Sequence, residues 1–413
     1  MSSRSRRFNK TEISWILYDV GNSALVLLAT SVIPIYFNSL AEGSVLVNWS
    51  YAETIAALLI ALLMPILGSI ADMRGMKKKF IVGTVATGAI ATIAMGFPTA
   101  PLAFLVVYII SSVALNTSMV FYDALLVDAT EDERMDEVSS QGYAWGYVGS
   151  TIPFIICLAI ILLRPFGIGL QPAMQISFVI TAAWWCAFTI PLLKNVEQTH
   201  FKPREDHPVA RALKGLSTTA KNIWADKQLR YFVIAYFFYI DGVHTIIRLS
   251  TSYGTDLGID GTQLVLALLV TQFVAFPSAI AYGKLGSRVG TKKMLLVGII
   301  GYTFITLYAA FFLKEAPQFW FLAIMVGLFQ GGIQALSRSM FGKLCPKNHA
   351  NEYFGFFDIF GKYAAIMGTF LVGTMTQLTG SGSFGVFSIV VLFVIGFISM
   401  WRVPEETAHK DAA

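Results

Sequence analysis

Long apolar stretches separated by short polar segments run along the whole chain. None of them shows the strict apolar–polar alternation of a half-exposed strand. A run of about 20 apolar residues crosses a bilayer as a helix, whereas membrane β-strands give short alternating segments. The pattern therefore predicts an all-α membrane protein with twelve transmembrane helices, at 13–38, 49–71, 80–98, 101–127, 140–163, 173–193, 230–254, 262–284, 293–313, 317–342, 352–378 and 384–402.

The longest polar segment lies between the sixth and seventh spans. We therefore expect five parts: a basic tail (1–12), an N-terminal six-helix half (13–193), a connector (194–229), a C-terminal six-helix half (230–403) and a second tail (404–413). Apolar residues in the connector recur at helical spacing opposite basic ones, which predicts an amphipathic helix on the cytoplasmic leaflet. The apolar residues are Val209, Leu213, Leu216, Ala220, Ile223 and Trp224.

Composition and charge agree with this picture. The chain is 55% hydrophobic and 13% charged, about half the charged share of a soluble domain. Of its 30 Lys and Arg residues, 26 lie in the tails and alternate links, and only Arg164 and Lys314 lie in the opposite links. Because basic residues stay on the cytoplasmic side, we expect both termini in the cytoplasm, and a plasma (inner) membrane location if the source is bacterial. The net charge of +5 borders the membrane and predicts no nucleic-acid partner.

Two loops repeat across the halves. The loop after the second span reads GSIADMRGMKKK (68–79), and the loop after the eighth reads GKLGSRVGTKKM (283–294). Aligned from Gly68 and Gly283, they share a later glycine and two lysines at an offset of 215 residues. The fifth and eleventh spans also match loosely, so two related, pseudo-symmetric halves are expected.

This loop resembles the signature of the major facilitator superfamily. The resemblance implies the major facilitator fold and a cytoplasmic gating latch, here formed by Asp72, Arg74, Gly75 and Lys77. In that superfamily the Asp meets a helix N-terminus or a nearby Arg, which is favourable dipole or charge pairing. Ser287 replaces the Asp in the second copy, which leaves open whether that loop acts as a latch.

Longer strings resemble one branch of the superfamily, the vacuole effluxer family, whose best-known members are fungal autophagy-related exporters of amino acids. They include WILYDVGNSA (15–24), VFYDALLVD (120–128), YIDGVHTII (239–247) and EYFGFFDIFGKYAAIMG (352–368). The resemblance covers nearly the whole chain in register. It implies a transporter that moves a small solute across a membrane.

Ionisable residues inside the spans are the main candidates for the site, since a charge in hydrocarbon normally faces a watery cavity or a partner. Asp241, His244 and Arg248 share one helical face, and Asp358 and Lys362 lie one turn apart. Arg248 and Lys362 could hold a substrate carboxylate, and His244 titrates nearest neutral pH. The alternative is that these groups tie helices together as buried pairs.

We expect substrate contacts from polar and aromatic residues on the spans that line the cavity in this superfamily. They are Asp19, Asn22, Tyr122, Asp123, Tyr239, Arg248, Gln330, Gln334 and Lys362. Proton coupling is expected from Asp241, His244 and Asp358.

These features predict a secondary active transporter for a small zwitterionic or anionic solute, with amino acids as the leading class and protons as the coupling ion. Efflux of amphipathic drugs or lipid-like molecules, and a receptor that binds solute without moving it, stay open as alternatives. No phosphate-binding G-x-x-x-x-G-K-[ST] loop or nucleophile–base arrangement is present, so neither ATP-driven transport nor an enzyme is expected. His244 is the one histidine in a span, and we expect no cofactor, no metal site and a monomer.

Overall fold

The computed structural model describes residues 7–40 and 45–404, and only the backbone of 45–47, 166, 251–252, 256, 261–262, 265 and 362–366. Within these ranges the regular elements are helices, apart from one isolated bridge between Met73 and Lys202. The α-helices are α1 (Lys10–Ser31), α2 (Ile33–Leu40), α3 (Val45–Ala71), α4 (Lys77–Ala94), α5 (Pro101–Ala124), α6 (Leu126–Ala129), α7 (Met135–Leu163), α8 (Leu170–Asn195), α9 (Pro208–Ala225), α10 (Lys227–Asp256), α11 (Gly261–Val289), α12 (Thr291–Phe311), α13 (Ala316–Leu344), α14 (Ala350–Thr379), α15 (Gly382–Ser388) and α16 (Val390–Trp401).

Ten helical segments in the described chain are long and apolar enough to cross a membrane. Two of them join neighbouring helices, α5 with α6 and α15 with α16. The helices α4 and α14 occupy the positions of the third and eleventh predicted spans. The predicted all-helical, twelve-span class is confirmed, and α9 forms where the connector helix is predicted.

The first span begins at a well-formed cap. Asn9 Oδ1 accepts the backbone N–H of Glu12 at 2.8 Å, and Glu12 Oε2 accepts that of Asn9 at 2.9 Å. Two of the helix's orphan donors are thereby satisfied. The span is broken at Val32, between α1 and α2, and Pro34 in the first turn of α2 has no N–H to continue the ladder.

The described chain divides into two compact units that follow the two halves of the sequence, except at their exchanged helix ends. Unit 1 comprises the chain up to Glu131, Trp145–Leu213 and Pro346–Gly355. Unit 2 comprises Asp132–Ala144, Lys214–Cys345 and the chain from Phe356. The start of α7 is thus counted with unit 2, and the start of α14 with unit 1.

Small residues allow close helix contacts inside each unit. In unit 1, α1 packs on α8, and a Cβ at Gly21 would lie 3.2 Å from the Trp185 carbonyl oxygen. In unit 2, α10 packs on α16, and a Cβ at Gly396 would lie 2.9 Å from Tyr239 Cβ. A side chain at either position would collide with the neighbouring helix. Glycine therefore allows the two helix backbones to approach closely.

Candidate functional site

A hydrogen-bonded aromatic cluster in unit 1 contains three of the predicted substrate residues. Asp19 Oδ2 accepts the Tyr122 hydroxyl at 2.9 Å, and Asp19 Oδ1 accepts Asn22 Nδ2 at 3.4 Å. The Tyr122 ring stacks on Trp15 at 4.4 Å between centroids and lies 4.6 Å from the Tyr18 ring. All five side chains are buried. The cluster holds a carboxylate in a fixed position between α1 and α5.

The remaining predicted substrate residues are more dispersed. Asp123, next to Tyr122, is half-buried. In unit 2, the buried Tyr239 hydroxyl shares a 2.6 Å hydrogen bond with Ser337 Oγ, which joins α10 to α13. Gln330 and Gln334 lie half-buried on α13.

The stripe on α10 runs from a buried acid to an exposed base. Asp241, at the middle of the helix, is fully buried, His244 is half-buried and Arg248 is exposed. Asp241 Oδ1 accepts the backbone N–H of Gly368 on α14 at 2.9 Å and the Thr245 hydroxyl at 3.2 Å. Asp241 Oδ2 has no hydrogen-bond partner within the described part of the chain.

The second predicted acid–base pair lies on α14. Asp358 is half-buried, and the side chain of Lys362 lies outside the described residues. Their pairing stays a prediction.

The first signature loop binds the start of α14 through Asp72. Its Oδ1 accepts the backbone N–H of Asn351 at 2.9 Å and Asn351 Nδ2 at 2.8 Å, and its Oδ2 accepts the backbone N–H of Glu352 at 3.0 Å. This is the helix-N-terminus partner expected from the resemblance. Burial raises the pKa of Asp72 to about 6, against the opposing effect of Lys77 and these N–H donors. Pairing with Glu352 raises the pKa of His349.

Lys77 of the same loop makes a buried ion pair that the sequence did not reveal. Its Nζ lies 2.7 Å from Asp128 Oδ2, and both side chains have no exposed surface. Asp128 Oδ1 accepts the backbone N–H groups of Thr199 at 3.0 Å and His200 at 2.8 Å. Nothing in the sequence indicates that the connector returns to Asp128.

The connector also fastens the rest of this loop. Gln198 Oε1 accepts the N–H of Gly75 at 2.9 Å, where the loop turns with φ +75°. Arg74 donates its N–H to the Lys202 carbonyl at 3.2 Å, and its exposed guanidinium lies 5.3 Å from the centre of the Phe201 ring. The four predicted latch residues are therefore bound by three different segments of unit 1.

In the second loop the carboxylate comes from the facing helix. Ser287 donates only to the Gly283 carbonyl among its described contacts, while Asp136 at the start of α7 accepts Lys343 Nζ at 2.9 Å and the Thr291 hydroxyl at 2.7 Å. Asp136 corresponds to Asn351 under the same 215-residue offset that relates Gly68 to Gly283. The first copy therefore has its carboxylate in the loop, at Asp72, and the second copy has it on the facing helix, at Asp136.

The same offset relates Asp128 to Lys343. In the first copy this position is Asp128, which pairs with Lys77 of the loop. In the second copy it is Lys343, which pairs with Asp136 at the start of α7. The repeat therefore relates these two positions, while only the structure shows which residues pair there.

Arg338 on α13 is a further buried charged residue, and it is not among the predicted site residues. It is 3% exposed, and its Nε and Nη2 donate to the hydroxyl and carbonyl oxygens of Ser139, each at 2.9 Å. Its guanidinium also lies 4.3 Å from the centre of the Tyr143 ring. Arg338 thus anchors the start of α7 to α13 inside unit 2.

Two cavities accompany these groups, one in each unit. The larger, about 600 Å³, lies between α3, α4 and α5, is mainly apolar, and includes none of the predicted site residues. The smaller, about 90 Å³, lies against α10 and α13 and includes Gln330. It is well below the roughly 300–1,000 Å³ of a drug-sized ligand site.

Comparison with known proteins identifies the family. The family described as "Vacuole effluxer Atg22 like" matches residues 47–413. An uncharacterized MFS-type transporter of Bacillus subtilis, YxiO, is 48% identical over 415 residues, which cover 98% of this chain and 97% of that protein.

More distant relatives agree. Autophagy-related protein 22 of Cryptococcus neoformans is 24% identical over 67% of this chain, which spans about half (51%) of that fungal protein. The human organic anion transporter MFSD10 has the same fold, with a TM-score of 0.73 at 13% identity over 97% of this chain and all of the other. The relatives are transporters rather than enzymes. The chain belongs to the Atg22-like vacuole effluxer family and is a multi-pass membrane transporter of the major facilitator superfamily.

Proposed function

We propose that this protein is a secondary active transporter that moves a small zwitterionic or anionic solute, with amino acids as the leading class. It works by alternating access and is driven by protons. The observation that carries the proposal is Asp241, a carboxylate at the middle of α10 with one satisfied oxygen and one that has no hydrogen-bond partner among the described residues.

The energetics of this carboxylate explain its use. Its Oδ1 is held in place by Gly368 and Thr245, while Oδ2 is buried without a hydrogen bond among the described residues. A buried ionised group without compensation is costly. A proton, or the ammonium group of a solute, would remove that cost when it reaches Oδ2.

Arg248 supplies the opposite charge on the same helix. It lies two turns after Asp241, about 10 Å along the axis. Helical side chains lean toward the N-terminus, which brings its long side chain back toward Asp241. An acid and a base on one helical face suit a zwitterion better than an uncharged amphipathic molecule.

The other predicted contacts are proposed for each unit by itself. In unit 1 they are Asp19, Asn22, Tyr122 and Asp123. In unit 2 they are Tyr239, Gln330, Gln334 and Lys362, and His244 and Asp358 relay protons with Asp241.

The signature loop acts as the gate in this proposal. The three hydrogen bonds of Asp72 to the start of α14 and the Lys77–Asp128 pair can be made and broken as units.

Both termini lie in the cytoplasm, which for a bacterial source means the plasma membrane, and the protein acts as a monomer.

Transport by the purified full chain in proteoliposomes tests the proposal. The solute is first chosen by a thermal-shift screen of amino acids, peptides and organic anions at two pH values. An imposed pH gradient should then drive accumulation of the labelled solute. Asp241→Asn should lose at least about tenfold of this gradient-driven accumulation but retain solute counterflow. Asp206→Asn, which removes an exposed connector carboxylate, should behave as wild type.

Arg248→Ala should abolish uptake, whereas Arg204→Ala, at an exposed connector position, should not. Flux that ignores the gradient would remove proton coupling. Solute binding without counterflow would make the protein a receptor, and transport limited to drugs or lipids would overturn the solute class.

A further inference from the structure

Three metal-ligating side chains meet where the first signature loop contacts the start of α14. Asp72, His349 and Glu352 each place one ligand atom within 4.8 Å of the other two. His349 Nδ1 lies 3.7 Å from Glu352 Oε2. All three residues belong to unit 1. Asp72 and His349 are far apart in sequence, so no motif spacing indicates the cluster.

The cluster buries two carboxylates together. Asp72 has no exposed surface and Glu352 is 4% exposed, while the His349 side chain is 46% exposed. The nearby Lys202 donates its amino group to Ser69 Oγ at 2.7 Å. Two neighbouring buried carboxylates repel each other, and a divalent cation between them would compensate both charges.

A second observation points to a missing partner at this place. Asn351 is fully buried and donates its Nδ2 to Asp72 Oδ1, but its own Oδ1 has no hydrogen-bond partner among the described residues. The two atoms belong to one amide group, so the unpartnered oxygen lies beside the Asp72 carboxylate. Buried acceptors are normally satisfied by protein or ordered water, and a metal-bound water would supply the donor.

We propose that Asp72, His349 and Glu352 bind a divalent transition-metal ion, with Zn²⁺ as the best match. One imidazole and two carboxylates with a water completing a tetrahedron is a ligand set that Zn²⁺ accepts. Ligand atoms around tetrahedral Zn²⁺ lie about 3.4 Å apart, close to the 3.7 Å between His349 and Glu352. The exposed part of His349 gives the ion a path from solvent.

The bound ion would join the loop after α3 to the first turn of α14. It therefore reinforces the contact that Asp72 already makes with the N-terminus of this helix. The site is separate from the solute residues on α10, and its existence does not depend on what the protein transports.

Zinc binding by the full-length protein in detergent tests the inference. The chelator-stripped protein is titrated with Zn²⁺ against a chromophoric competitor. We expect one saturable ion per chain, and an affinity at least about tenfold weaker in His349→Ala and in Glu352→Gln. His207→Asn is the matched control: it removes an exposed connector imidazole at φ +54°, a conformation that Asn tolerates. It should bind Zn²⁺ as wild type does.

Thermal unfolding of the same samples gives an independent readout. Zn²⁺ should raise the unfolding temperature of the wild type and of His207→Asn, but not that of His349→Ala. Because His349 also pairs with the buried Glu352, the shift caused by Zn²⁺ is measured for each variant from its own metal-free unfolding temperature. Absence of saturable Zn²⁺ binding, or wild-type affinity in His349→Ala, would overturn the assignment.

Discussion

The buried pair of Lys77 and Asp128 gives the sharpest stability prediction. Their charged atoms are 2.7 Å apart and neither side chain is exposed. At an effective dielectric constant near 20, this separation corresponds to about 6 kcal/mol of attraction before desolvation is subtracted. Removing one partner of such a pair typically costs about 3–5 kcal/mol, since the other charge is left buried.

The two partners should not be equivalent. Asp128 also accepts the backbone N–H groups of Thr199 and His200, so in Lys77→Met its charge keeps hydrogen bonds. In Asp128→Asn the new amide N–H₂ would face the Lys77 ammonium, donor against donor. We therefore expect Asp128→Asn to lower the free energy of unfolding by about 3–5 kcal/mol and Lys77→Met by about 1–3 kcal/mol.

A double-mutant cycle decides whether this reasoning holds. Adding Lys77→Met to Asp128→Asn should restore part of the lost stability, because the uncompensated buried cation is gone. The measurement is the free energy of unfolding of the purified protein in mixed detergent–dodecyl sulfate micelles. Lys343→Met is the comparison, since Lys343 is 13% exposed in its pair with Asp136, and it should cost less than Asp128→Asn. A double variant less stable than Asp128→Asn alone would refute the argument.

Two further predictions concern α14 and the connector. A Cβ at Gly368 would overlap Thr245 Oγ1 and lie 2.7 Å from Asp241 Oδ1, while one at Gly373 would meet nothing within 4 Å. Gly368→Ala should therefore lower gradient-driven transport in proteoliposomes by at least about tenfold and Gly373→Ala should not; equal rates would contradict a role for this contact. A nitroxide at Leu213, which is 53% exposed on α9, should collide with oxygen dissolved in lipid, and one at Thr218, exposed on another face, with a water-soluble relaxation agent. Water exposure at both positions would mean that α9 does not lie on the membrane.

The candidate site was predictable where a single helix carries it. Asp241, His244 and Arg248 share a face because the helical period places them there, and the cost of charge in hydrocarbon marks them as candidates. Their different surroundings were not predictable. Asp241 is buried against Gly368 and Arg248 is exposed, since burial depends on which helix packs against each turn.

The latch shows the same division. The loop and its Asp72 could be identified from the repeat. The N-terminus of α14, which donates N–H groups to Asp72, is the kind of partner expected from the resemblance. The structure was needed to show that Lys77 pairs with Asp128. It was also needed to show that Asp136 on the facing helix supplies the carboxylate in the second copy, where the loop has Ser287. Each contact joins residues at least 50 positions apart, and a single sequence read by itself carries no signal for such contacts.

The sequence by itself determined the membrane class, the number of spans, the repeat and the family. These follow from local composition and period, because every span must satisfy its own backbone hydrogen bonds inside the bilayer. Only the tertiary structure decided which charges are buried in pairs, which carboxylate oxygen of Asp241 is hydrogen-bonded to Gly368, and that Asp72, His349 and Glu352 converge. Those properties depend on packing between distant helices, and packing is set by the shapes of all the side chains at a contact rather than by the order of residues within one segment.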